Sequence, residues 1–90
     1  MNDPQDCWKR LRDLADHAMG DPRDDAAAIV REYAGGIGRT DVQQFQARLE
    51  DTLLAGKHTV VPLAYLDQHQ RWLAVLEGAC AAMRRQLNPS

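Results

Sequence analysis

The sequence predicts an all-α fold: a small four-helix domain whose third and fourth helices form an antiparallel hairpin and whose C-terminal helix is the longest. Three observations predict it. Apolar residues recur at three- and four-residue spacing along most of the chain. Asp-Pro pairs and glycines punctuate it at intervals that suit helices. The single β-branched run, Thr59-Val60-Val61, has no second strand to pair with and reads as loop.

The first helix is expected over 4–19. Asp3 stands as N-cap, Pro4 takes the first helical position and Asp6 complements the dipole. Trp8, Leu11, Leu14, Ala15, Ala18 and Met19 share one face, and Gly20 ends the helix. Asp21-Pro22-Arg23-Asp24 repeats the same start, so a second helix spans 22–34 with Ala26, Ile29, Val30 and Tyr33 inward. Gly35-Gly36-Ile37-Gly38 stops it, because closely spaced glycines cost too much backbone entropy inside a helix.

Thr40-Asp41-Val42-Gln43 has the pattern of a capping box and opens a third helix over 41–55. Its stripe is Val42, Phe45, Leu49 and Leu53, and Gly56 closes it. Pro62 starts the last helix, which runs to Leu87 before Asn88-Pro89. Leu66, His69, Leu73, Leu76, Cys80, Met83 and Leu87 form a heptad seam. Tyr65, Trp72, Val75 and Ala79 widen it to about half the circumference, so this helix touches more than one neighbour. At 1.5 Å per residue it spans about 39 Å against about 22 Å for the third helix. The expectation is therefore that its C-terminal end, through Met83 and Leu87, outruns its hairpin partner and meets a second copy of the chain in a homodimer.

Composition bounds the function. Ninety residues make one domain, 1–90, with 44% apolar and 27% charged residues, as in ordinary globular chains. The formal net charge of −2 argues against a chain built to coat nucleic acid. No apolar run approaches the ~20 residues of a membrane span, and Met1-Asn2-Asp3-Pro4 is no signal-peptide start, so a cytoplasmic protein is expected. Two cysteines do not make a disulfide scaffold. Nine arginines to two lysines is a bias common in GC-rich bacterial genomes.

No catalytic or metal-binding constellation assembles from the residues, and neither an enzyme nor a cofactor is expected. The glycine stretch before Arg39-Thr40 fails P-loop spacing and follows a helix, so it reads as a plain connection. His17, His58 and His69 fall on three elements, none with a second ligand at helical spacing. His69 reads as a partly buried imidazole bonded to a neighbouring element. Cys80 reads as core, and Cys7, near a helix N-terminus, is the better of the two as a redox candidate.

The functional expectation is a non-catalytic protein–protein interaction module, a small adaptor, regulator or inhibitor that occupies a surface of a larger assembly. Phage- and plasmid-encoded inhibitors are one kind of chain with this profile. The candidate partner-binding residues are Tyr65, Arg71 and Trp72, because aromatics beside arginine carry interface energy, together with Met83 and Leu87 at the far end of the seam. The alternative is a nucleic-acid-binding regulator using Arg71, Arg84, Arg85 and the glutamines Gln43, Gln44 and Gln46 of the third helix. Even then, no sequence-specific duplex binding is expected from so few cations.

Overall fold

Asp3 starts the fold. In a computed structural model, which describes residues 3–88, its carboxylate accepts the Gln5 N–H at 2.9 Å and Pro4 opens helix α1, Pro4–His17. Helix α2, Arg23–Ala34, begins one residue later than its Asp-Pro pair suggests. Pro22 is the N-cap, and the Asp21 carboxylate accepts both the Arg23 N–H at 3.1 Å and its guanidinium at 2.9 Å. The backbone bond first, and the guanidinium with it, hold the Asp21 carboxyl below its ordinary range.

Helix α3, Arg39–Lys57, is longer than expected at both ends. The Val42 N–H bonds to the Gly38 carbonyl at 3.0 Å, which makes Gly38 the N-cap and places Thr40 inside the first turn. The Thr40–Gln43 capping box therefore does not form. Gly56 does not end the helix either. A Cβ there would lie 2.7 Å from Leu73 Cδ2, so its missing side chain lets two helices approach. The helix closes at His58 and Thr59, whose N–H groups bond to Ala55 and Gly56 carbonyls.

Pro62 is followed by a 3₁₀ turn, Leu63–Tyr65, that leads into helix α4, Leu66–Leu87. The regular part of α4 is thus about 33 Å long against about 28 Å for α3, and the length mismatch inferred from sequence largely disappears.

Among the described residues there are four α-helices and no strand, and α4 is the hub. The most extensive packing is of α2 on α4, then of α3 on α4 as the other arm of the hairpin. The start of α2 crosses α4 at Gly78, where a Cβ would lie 2.7 Å from Arg23 Cα. Helix α1 lies on the first half of α4. Leu11, Val30, Leu49, Val75, Leu76, Cys80 and Met83 fill the shared core without exposed surface to speak of.

Two sequence expectations change here. Met83 is 0% exposed within a single chain, so it is a core residue and not part of a partner surface. Leu87 is half-buried against the same core. The seam instead loses its cover toward the N-terminal end of α4. Leu76 and Cys80 are buried, His69 and Leu73 are half-buried, and Leu66 is 37% exposed. The physical reason is that α2 crosses α4 in its C-terminal half, at Gly78, whereas α3 reaches the N-terminal turns of α4 only with its last residues, at Gly56.

Candidate functional site

Arg71 positions the end of the molecule that stays open. Its Nε donates to the Ala15 carbonyl at 3.1 Å, one of the acceptors that a helix C-terminus leaves free, and its Nη1 pairs with Asp67 at 2.6 Å. Beside it, Gln68 Nε2 donates to Asp16 at 3.0 Å. These bonds fix the end of α1 against the first turns of α4. Arg71 is therefore a positioning residue, tied by its Nε and Nη1 to α1 and to Asp67.

Across the helix, His69 Nε2 donates to the Gly56 carbonyl at 2.9 Å and ties the end of α3 to the same turns. This is the bonded, half-buried imidazole that its place in the seam implies.

A cleft of about 200 Å³ lies between α1 and the start of α4, lined by Arg12, Asp16, Val61, Tyr65, His69 and Trp72. The structure thus brings together Tyr65 and Trp72 among the candidate residues, places Arg71 behind them, and removes Met83 and Leu87 to the other half of α4.

The α3–α4 connection, which gives Val61 and Tyr65 to this cleft, carries exposed apolar side chains. Val60 is 95% exposed, Leu63 85% and Tyr65 62%, and Leu54 and Leu66 are also exposed. All five belong to residues 54–66. Among the described residues the other exposed large apolar side chain is Met19, which follows the α1 terminus held by Arg71. Val60 was visible in the sequence as an apolar residue inside a loop and Leu63 as one in the first turn of the last helix, but neither assignment gave a reason to choose them.

Sequence reasoning missed a second feature. Trp8 and Trp72 meet edge to face, with ring centroids 5.6 Å apart. Trp8 also meets Phe45 at 6.1 Å, and Phe45 meets Tyr33 at 4.9 Å. The Arg12 guanidinium lies 4.4 Å above Trp72 and that of Arg48 4.2 Å above Trp8. A second cleft of about 310 Å³ borders Phe45, Tyr33 and Arg48. No sequence signal pairs Arg48 of α3 with Trp8 of α1, because the contact is tertiary.

Both thiols are buried, and burial pushes each from its usual 9.0 to about 11. Cys7 thus lacks the exposed, electropositive setting of a redox-active thiol. Of the arginines of the nucleic-acid alternative, Arg84 pairs with Glu50 at 2.9 Å and Arg71 is committed as above. Gln46 is buried and donates to Glu50, so it does not belong to a polar reading face.

Among the described residues no helix is long and apolar enough to cross a membrane. Compared with known proteins, the chain matches no family model, no curated protein and no solved structure.

Proposed function

We propose that the chain is a non-catalytic protein-binding module, a small adaptor or regulator that docks through the corner formed by the α3–α4 connection and the first turns of α4. The observation that carries this reading is the exposure of Val60, Leu63, Tyr65 and Leu66 along one short stretch of chain that leads into the cleft lined by Tyr65 and Trp72. A monomer rarely leaves a contiguous apolar patch of several hundred Å² in water unless something covers it. Large apolar side chains around a concave site are also what a hot spot requires.

The test is affinity capture from cell extract, with and without nuclease, comparing wild type with the Leu63→Asp/Tyr65→Asp double variant. Both side chains are exposed, so the variant keeps its fold. The expected result is a protein retained by wild type regardless of nuclease and lost by the variant. Equal retention by both chains, or retention abolished by nuclease, overturns the reading.

A further inference from the structure

Helices α1 and α3 both pack on α4 but not extensively on each other. The groove between them is floored by the row Trp72, Trp8, Phe45 and Tyr33, with a cleft at each end. Arg12 on one wall and Arg48 on the other stack over the two indoles. Stacking uses the face of a guanidinium and leaves the N–H donors in its plane free.

Those donors are unused here. Among the described residues neither Arg12 nor Arg48 has a carboxylate within 4.0 Å, and neither side chain donates a hydrogen bond to protein. Arg12 even has an acid at helical spacing, Asp16, which instead accepts from Gln68. Four other arginines, Arg10, Arg23, Arg71 and Arg84, are paired with carboxylates. The groove therefore holds two stacked guanidinium forks without an ion-pair partner, although Asp16 lines the same cleft as Arg12 and Asp41 the same cleft as Arg48.

We propose that this groove binds an acidic peptide segment of the partner, with carboxylates bonded to Arg12 and Arg48 and flanking apolar side chains in the two end clefts. The proposal rests on the protein-binding reading and names the chemistry of the partner. Planar forks suit carboxylates, which accept two parallel N–H bonds. Clefts at both ends of a row suit apolar residues spaced along one chain. Single-stranded nucleic acid fits less well. Its bases stack on open aromatic faces, and here the arginines cover those faces.

The test is selection of a random dodecapeptide display library on the immobilised full chain, followed by synthesis of the enriched peptides. The chain's two tryptophans both lie in this groove, so their emission reports occupancy directly. The expected result is peptides enriched in Asp and Glu between apolar residues, which shift tryptophan emission. Their affinity should fall at least about tenfold in Arg12→Glu and in Arg48→Glu. Arg12→Lys and Arg48→Lys keep the charge without the planar fork, and partial loss is expected. Arg31→Glu, on an exposed turn of α2, should bind as wild type.

Enriched peptides without acidic residues, or binding indifferent to Arg12 and Arg48, overturn the inference while leaving a protein-binding module standing. Failure to enrich any peptide overturns it as well. Tight binding of oligothymidylate through the same two arginines overturns both this inference and the protein-binding reading.

Discussion

Gly78 and Gly56 lack side chains for different reasons, and a single methyl group separates them. At Gly78 an added Cβ meets backbone: the Arg23 carbonyl oxygen, with Arg23 Cα at 2.7 Å. Neither α2 nor α4 can move without disturbing the core between them, so Gly78→Ala should cost about 1–3 kcal/mol. At Gly56 the nearest atom is the far end of a flexible side chain, Leu73 Cδ2. Leu73 can turn aside, and alanine gains up to about 1 kcal/mol of helix propensity over glycine, so Gly56→Ala should change stability by less than about 1 kcal/mol. Urea denaturation of the two variants checks the contrast, and equal losses contradict it.

The buried thiols make a second prediction at the scale of single residues. Burial is the main cause of the raised values, with the Arg10 charge offsetting it a little at Cys7. The unfolded chain releases these protons near 9.0, while the folded chain holds them to about 11. Between those values the native state binds more protons than the unfolded state. The stabilisation is therefore intact below about pH 9 and is lost as pH rises through 11, by on the order of 2 kcal/mol per thiol. Denaturation midpoints measured from pH 8 to 11 should fall, and the fall should be smaller in Cys7→Ala/Cys80→Ala. At neutral pH both thiols should react with an aromatic disulfide reagent only as fast as the protein opens.

At the scale of elements, the four helices were legible because their information is local. Asp3-Pro4 caps α1 as its chemistry demands, and the apolar stripe of α3 is buried in full. The boundaries of α3 were less legible. Thr40 and Gly56 are a good cap and a good stop in isolation, yet the helix runs past both because Gly56 packs on α4 and Gly38 supplies the N-cap. The clefts were only half legible. Tyr65 and Trp72 stood out as aromatics on one arc, whereas Arg12 and Arg48 are defined by which indole they cover, and that depends on how three helices meet. The same tertiary packing separates two neighbours in the seam. Leu76 is 0% exposed, but Leu73 is only half-buried at the thinning end of the cover. Leu76→Ala should cost about 2–5 kcal/mol, and Leu73→Ala less than half as much. Chemical denaturation decides it, and equal losses would place Leu73 in the closed core.

At the scale of the whole molecule, the two halves of α4 differ in what surrounds them. The C-terminal half is enclosed by α2 and α3, and Met83 at its centre has no exposed surface. The N-terminal half has α1 on one side and ends in the open corner of Val60, Leu63 and Tyr65. A charge at Met83 must be buried without a partner, which costs several kcal/mol. That is a large share of the roughly 5–13 kcal/mol that a chain of this size has in total. A charge at Leu63 stays in water and costs almost nothing. Met83→Asp should therefore abolish the cooperative thermal transition followed by far-UV circular dichroism, while Leu63→Asp melts within a few degrees of wild type. Light scattering after size exclusion carries the same contrast into association. If wild type forms a dimer at micromolar concentration, Leu63→Asp should return it to monomer, because the corner is the apolar surface left open for a second copy. A dimer that survives Leu63→Asp and is lost in a still-folded Met83→Asp chain would mean that α4 is uncovered at its other end and that the packing of α2 and α3 around it is wrong.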